Sequence, residues 1–178
     1  MGSSISGWTR HLPGNRRLAS WLAGEGSLTA RIRQRCGAFQ LRRVTQHIGA
    51  ALPDERSSAT LSDRQGVLVR EILLMNGDEV LVFAHSVVAR RHLMGPWRGL
   101  RSLDGRPLAD MLYADRQVSR APLRYCQLSA VDPLSIRLHK VLPDTPLPLW
   151  ARRSVFKRHG APLLVTEVFL PAILKLKP

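Results

Sequence analysis

Two β-rich runs joined by a tight turn most constrain what this chain can fold into. The runs are GVLVREILLM (66–75) and EVLVFAHSVV (79–88), and Asn76-Gly77-Asp78 separates them. Asn-Gly between two such runs is among the strongest short-range signals for a β-hairpin, because both residue types accept positive φ at low cost. The centre of the chain therefore predicts two long antiparallel strands.

A second hairpin closes the chain. LWARRSVFKR (149–158) alternates polar and apolar residues, residues 159–162 contain the Gly and Pro of a turn, and LLVTEVFLP (163–171) returns. Further strands are predicted at 39–48 and 118–130. At least five strands joined by hairpins, with helices in separate blocks, indicate an α+β fold with an antiparallel sheet. A doubly wound parallel sheet is not expected, because strands and helices do not alternate.

Short helices are predicted between these strands. Residues 16–26 form an apolar helical pattern stopped by glycines, and Ser27 is a natural N-cap for a second helix that Gly37 ends. Two more short helices are predicted within 94–113, where Pro96 and Pro107 suit first turns. Two segments are expected to be loops or irregular structure: 51–66 and 131–148.

The charge of the chain is its one unusual compositional property. Lys and Arg number 27 against 13 Asp and Glu, which gives a net charge of +14 at pH 7. Such an excess attracts polyanions, acidic membranes or small anionic substrates. Aromatic residues are only 6% of the chain, and no recognition motif for nucleic acid is present. We therefore prefer a basic surface without a nucleic-acid partner.

Other common kinds of site lack their sequence patterns. The chain has the length of a single domain, and its two cysteines make no disulfide framework, which favours a reducing cytoplasm. The six histidines have no metal-ligand spacing, and no phosphate-binding glycine loop occurs, so neither metal nor cofactor is expected. No apolar run is long enough to span a membrane. Residues 1–20 are a basic lead-in, either solvated or resembling a transit peptide.

Two charged residues interrupt the apolar strands. In LLVTEVFL the period of two places Glu167 on a face with Val165 and Phe169, and the other face is apolar as well. Arg70 shares a face with Leu68 and Ile72 in VLVREILLM. Burying either charge without a partner is costly. Arg70 and Glu167 are expected to form a structural ion pair with each other, or Arg70 and its neighbour Glu71 each to find local partners. Alternatively, Arg70 and Glu167 bind the two ends of a polar ligand in a common cavity.

Several motifs in order resemble one family of bacterial enzymes. GSLTARIR is followed by LVREILL and the NGD turn, then by GPW and LDGRPLADMLY, then by LWARRSVF and APLLVTEVFLP. This succession is similar to chorismate pyruvate-lyase, from about Trp21 to Pro171. No single motif is diagnostic, but their order and spacing together are specific. Residues 40–65 and 126–148 match poorly.

The resemblance implies both a fold and an activity. It implies a single α+β domain over 21–178, an antiparallel sheet of about six strands, and helical flaps enclosing an internal ligand site. The implied reaction converts chorismate to 4-hydroxybenzoate and pyruvate, at the start of ubiquinone biosynthesis, without metal or organic cofactor. A cytoplasmic monomer is expected.

The resemblance also implies four site residues. Arg70 should take the ring carboxylate, and Glu167 should meet the ring hydroxyl and perform catalysis with Arg70. Main-chain contacts should come from Leu108 and from Leu28, where a methionine is familiar in this family. The cation for the enolpyruvyl carboxylate cannot be chosen from the sequence.

Two other functions compete with the lyase. The ligand-sensing domain of certain bacterial transcription repressors shares the implied fold and uses its pocket without chemistry. A basic nucleic-acid-binding protein would rest on charge alone. Retention of both Arg70 and Glu167, together with no preceding winged-helix segment, favours the enzyme.

Overall fold

The computed structural model describes residues 7–58, 61 and 66–178. Within them the chain forms an α+β domain around one seven-stranded sheet, close to the predicted six strands. The strands are β1 (Phe39–Gly49), β2 (Val67–Asn76), β3 (Glu79–Ala89), β4 (Val118–Arg120), β5 (Arg124–Leu128), β6 (Leu149–Arg158) and β7 (Ala161–Phe169). The helices are α1 (Arg16–Ala23), α2 (Leu28–Arg33), α3 (Pro53–Ser58), α4 (Leu108–Ala114) and α5 (Pro133–Val141). Three 3₁₀ helices cover Arg90–Met94, Arg98–Ser102 and Pro171–Lys175.

The sheet is antiparallel throughout and follows the two predicted hairpins. Its order is β1-β2-β3-β7-β6-β4, and β5 also pairs with β6. The β2–β3 hairpin turns at Gly77, whose φ is +57°, and the β6–β7 hairpin turns at His159 and Gly160, both at positive φ. Because β3 pairs with β7, the two hairpins lie side by side and their central strands form the middle of the sheet.

Helices cover both faces of this sheet. On one face Trp21, Leu22 and Leu28 of α1 and α2 pack against Ile72 and other β2 and β3 residues. On the opposite face Leu134 and Leu138 of α5 pack against the alternate side chains of the same strands, such as Leu73 and Phe83. The two apolar faces predicted for the central strands are thereby both buried.

Two predicted loops contain helices. Residues 51–66 include α3, whose Glu55 accepts a hydrogen bond from the Leu52 N–H at 2.8 Å, as a capping residue does; positions 59–60 and 62–65 lie outside the described residues. Residues 131–148 include α5, which begins at Asp132-Pro133, a favoured helix start. Both predictions were wrong. The α3 segment PDERSS has no large apolar side chain, and only Leu134, Ser135 and Leu138 of the nine residues of α5 are buried.

Three boundaries also differ from prediction. Helix α2 ends at Arg33 rather than Gly37, and a turn follows it in which the Arg35 and Cys36 N–H groups both donate to the Ile32 carbonyl. The strand predicted at 118–130 is two strands, since Pro122 has no N–H to continue the ladder. Residues 94–113 hold one α-helix and a 3₁₀ helix, and a further 3₁₀ helix ends at Met94. The division at residue 20 and residues 1–6 of the lead-in stay predictions.

Candidate active site

The register of the central strands builds the floor of a cavity. Three rows of side chains cross the sheet on one face, and their members pair directly from strand to strand. The first row is Ile72, Ala84, Glu167 and Arg152; the second is Arg70, Ser86, Val165 and Ser154; the third is Leu68, Val88, Leu163, Phe156 and Arg120. Small side chains on β3, Ala84 and Ser86, leave space above the middle of this floor.

Two short helices form the roof of the cavity. Leu28 and Thr29 of α2 and Leu108, Leu112 and Tyr113 of α4 face the floor and enclose about 600 Å³ including the mouth. The Tyr113 hydroxyl donates a hydrogen bond of 2.7 Å to the Gly26 carbonyl, so it joins α4 to the segment before α2. The roof is thus built from separate chain segments, held together by single contacts.

Arg70 is a buried cation in the cavity wall, 2% exposed. Its Nη2 donates to the carbonyls of Asp104 at 3.2 Å and Arg106 at 2.9 Å, while its buried Nε has no hydrogen-bond partner. Burial, and secondarily the nearby Arg43, lowers the pKa of Arg70 to about 10, so it stays charged at neutral pH. No carboxylate of the described residues pairs with it, which leaves its Nε and Nη1 available to an anionic ligand.

Glu167 pairs with a different arginine. Arg152, directly opposite on β6, donates from Nε to the Glu167 Oε2 at 2.5 Å and is only 1% exposed. The Arg152 Nη1 also donates to the carbonyls of Leu22 at 3.0 Å and Gly24 at 2.9 Å, between α1 and α2. Within the described residues no hydrogen bond reaches Glu167 Oε1, so one carboxylate oxygen is held and the other can meet a ligand.

Leu28 and Leu108 take equivalent positions in the roof. Each is the first residue of its helix and lines the cavity. The N–H of a first helical residue lies outside the backbone ladder of the helix, so it can serve another acceptor. This position gives each leucine a main-chain donor as well as an apolar side chain.

Charges on the other face of the sheet are paired among themselves. His85 lies 3.0 Å from the carboxylates of both Glu55 and Glu71, and Glu71 also accepts from Arg137 at 2.9 Å. Burial opposes protonation, but the bonds to both glutamates outweigh it and raise the pKa of His85 to about 9. Glu71 therefore finds local partners, one of the alternatives the sequence left open, and points away from the cavity.

Comparison with known proteins assigns this chain to a family. A family model described as "Chorismate lyase" matches residues 14–177. The "Probable chorismate pyruvate-lyase" of Nitrosospira multiformis is 45% identical over 161 residues, covering 90% of this chain and 89% of that one. The protein of that name from an Azoarcus species is 46% identical and covers 90% and 87%. The chain belongs to the chorismate lyase family.

Solved structures support the fold of this chorismate lyase family member. The C-terminal domain of PhnF aligns with a TM-score of 0.59 at 15% identity, over 90% of this chain and 94% of that one. The effector domain of PhnF from Mycobacterium smegmatis aligns with a TM-score of 0.54 at 15% identity, over 84% and 91%. At such identity the likeness concerns the fold alone.

The four site residues predicted for this chorismate lyase family member line one cavity: Arg70, Glu167, Leu28 and Leu108. The sequence patterns did not indicate two further arginines at the site, Arg152, which pairs with Glu167, and Arg120, which lines the cavity. The register of the β6–β7 hairpin was the available signal for Arg152, because it sets that residue opposite Glu167. No pattern in the short β4 pointed to Arg120.

In the described part of the chain, no cluster of three or more His, Cys, Asp or Glu residues could hold a metal ion. The same residues contain no helix long and apolar enough to cross a membrane.

Proposed function

We propose that this protein is a chorismate pyruvate-lyase, which converts chorismate to 4-hydroxybenzoate and pyruvate at the start of ubiquinone biosynthesis in the cytoplasm. One observation carries the proposal: a single cavity presents an unpaired guanidinium and an oriented carboxylate across an apolar floor. Arg70 on β2 and Glu167 on β7 are separated by one strand, about 10 Å between strand axes. An aromatic acid with a hydroxyl para to its carboxylate suits that span.

Arg70 is the proposed anchor of the ring carboxylate. A guanidinium binds a carboxylate through two parallel hydrogen bonds, which fixes the plane of the ligand as well as its position. The carbonyls of Asp104 and Arg106 both accept from the Arg70 Nη2, so Arg70 is oriented before the ligand arrives. Such an arrangement reduces the entropy lost on binding.

Glu167 is the proposed partner of the ring hydroxyl. In the reaction the bond from the ring to the enolpyruvyl oxygen breaks, and the neighbouring hydroxyl-bearing carbon loses its proton. The electrons of that C–H bond complete the aromatic ring, and the enolpyruvate formed takes a proton to become pyruvate. Glu167 Oε1 orients the hydroxyl and assists removal of the adjacent proton. The atoms and electrons of this reaction balance without an oxidant or reductant, and we propose no cofactor.

The main chains of Leu28 and Leu108 supply the remaining proposed contacts. Both lie at the start of a roof helix and line the cavity, so their N–H groups can reach oxygens of a ligand held on the floor. Because a side chain does not make this contact, leucine serves at position 28 as well as methionine would. The roof thereby closes on the ligand through main-chain donors and apolar side chains.

A regulatory ligand-binding domain is the second candidate. The fold likeness to the effector domain of PhnF favours it, because a closed pocket on this sheet can bind a ligand without chemistry. In that case the protein would bind 4-hydroxybenzoate or chorismate and release the ligand chemically unchanged. Turnover separates the two candidates directly.

The test is a chorismate turnover assay on purified protein, with 4-hydroxybenzoate followed by absorbance and chromatography. Wild type is expected to form product, while Arg70→Ala and Glu167→Gln each lose at least about 100-fold in kcat/KM. Arg116→Ala and Asp144→Asn, at exposed positions, are the matched controls and should keep full activity. Binding of chorismate by wild type without product would reject the lyase in favour of the ligand-binding domain.

A further inference from the structure

Chorismate carries two carboxylates, and the cavity wall carries two cations. Among the described residues that line the cavity, only Arg70 and Arg120 are positively charged. If Arg70 binds the ring carboxylate, as the proposed function requires, the second carboxylate still needs a partner. We propose that Arg120 binds the enolpyruvyl carboxylate of the substrate, and this inference rests on the proposed function.

The strand register places Arg120 apart from the two other charged groups. Arg120 on β4 pairs with Phe156, in the third row of the cavity floor, whereas Glu167 lies in the first row. The row that contains Arg70 runs between them. A ligand held between Arg70 and Glu167 therefore has Arg120 to one side, where a substituent next to the ring hydroxyl can extend.

The guanidinium of Arg120 is held but not neutralised. It lies over the ring of Phe156, with 5.3 Å from its central carbon to the ring centroid. Its Nε is buried and has no hydrogen-bond partner, and no carboxylate of the described residues forms an ion pair with it. An aromatic face orients a guanidinium while leaving its hydrogen-bonding edges available. A ligand carboxylate would supply the missing acceptor.

Two other arginines near the cavity, Arg152 and Arg31, already form hydrogen bonds within the protein. Arg152 bonds to Glu167 and to two carbonyls, and Arg31 donates to the carbonyls of Trp21 and Ser20. Releasing Arg152 would leave buried and partly buried acceptors unpaired, which is costly, and releasing Arg31 would break two bonds to carbonyls. Arg120 is therefore the cation that can bind a second anion without breaking an existing bond.

This role gives Arg120 a part in the reaction beyond affinity. When the ring–oxygen bond breaks, negative charge develops on the enolpyruvyl group that leaves. A cation already bound to its carboxylate favours that charge and keeps the group aligned for departure. The product 4-hydroxybenzoate has no second carboxylate, so Arg120 distinguishes substrate from product.

The test compares substrate with product in Arg120→Met, which keeps an unbranched apolar stem but removes the guanidinium and its charge. We expect kcat/KM for chorismate to fall about 100-fold, the loss of a charge-assisted pair. The dissociation constant of 4-hydroxybenzoate, measured by calorimetry, should stay within about 3-fold of wild type. Arg70→Met is the matched variant, because it should weaken both ligands. Parallel weakening of both ligands in Arg120→Met, or unchanged kcat/KM, would overturn the proposal.

Two further measurements keep the outcomes distinct. In case Arg120→Met does not fold, Arg120→Lys and Arg120→Gln repeat the comparison with a charged and an uncharged side chain. Arg120→Lys should turn over chorismate faster than Arg120→Gln does. If wild type forms no product, the proposed function fails, and the role of Arg120 is then tested by measuring chorismate binding by calorimetry. Weaker binding of chorismate but not of 4-hydroxybenzoate in Arg120→Gln would still support the proposal. Chorismate affinity equal to that of wild type would reject it.

Discussion

The two faces of the central sheet treat buried charge in opposite ways. On one face His85, Glu55, Glu71 and Arg137 satisfy one another under α3 and α5. On the other, Arg70 and Arg120 keep unpaired nitrogens at a cavity. Adjacent residues of β2, Arg70 and Glu71, belong to these different regions. Removing one partner of a paired buried charge costs stability, whereas a cation without an acceptor at a cavity suits an anionic ligand.

The sharpest test of this contrast is Arg70→Met with two readouts. Its kcat/KM for chorismate should fall about 1,000-fold, because a bidentate carboxylate contact is lost. The free energy of unfolding should change by no more than about 1 kcal/mol, since losing two bonds to carbonyls is offset by removing a buried unpaired cation. Steady-state kinetics and urea unfolding measure the two effects. A large loss of stability would show that Arg70 is mainly structural.

Glu71→Gln is the converse test on the neighbouring residue. Removing this carboxylate leaves His85 and Arg137 with weaker partners, so the free energy of unfolding should fall by about 3 kcal/mol. The affinity for 4-hydroxybenzoate at a temperature where the variant is folded should stay within about 3-fold of wild type. Urea unfolding and calorimetry provide the measurements. If Glu71→Gln lost affinity for 4-hydroxybenzoate as strongly as it lost stability, the two faces of the sheet would not have separate roles.

The paired cluster should also make stability depend on pH. The folded-state pKa of His85, about 9, exceeds the unfolded value of about 6.5, so its contribution is complete below pH 6.5 and is lost as pH rises through 9. The loss is on the order of 3 kcal/mol. Urea unfolding of wild type between pH 6 and 9.5 should show this slope, and His85→Gln should lack it. An equal slope in both proteins would contradict the assignment.

The smallest expected effect concerns the roof of the cavity. Tyr113→Phe removes the hydrogen bond to the Gly26 carbonyl and should cost about 1 kcal/mol of stability. Because the roof then opens more readily, release of 4-hydroxybenzoate should quicken by about 2- to 5-fold. Stopped-flow release kinetics test this, with Tyr125→Phe as the comparison on the same kind of side chain. Unchanged release would mean that the bond does not hold the roof closed.

Sequence patterns predicted the two long hairpins and three short helices, α1, α2 and α4, but missed α3 and α5. Turn residues and alternating apolar positions are local signals, so β2–β3 and β6–β7 could be placed from the sequence. Helices α3 and α5 were missed because each buries only a few side chains against a sheet formed by distant residues. Their stability comes from tertiary contacts that a local pattern does not contain.

The candidate site divides in the same way. Period-two alternation placed Arg70 and Glu167 on buried faces, and the family resemblance assigned them to one ligand. Neither could show that Glu167 pairs with Arg152, that Arg70 lacks an acidic partner in the described residues, or that Arg120 joins the same wall. These facts depend on strand order and register across the sheet.

The amino-acid sequence by itself determined the hairpins, the buried faces of their strands and the family of this protein, because each depends on turn residues, alternation and motifs that can be read along the chain. Only the tertiary structure decided which charges are neutralised and which remain available. That choice depends on which side chains meet across the sheet, and pairing two charges from separate strands requires the folded register to bring them within hydrogen-bonding distance.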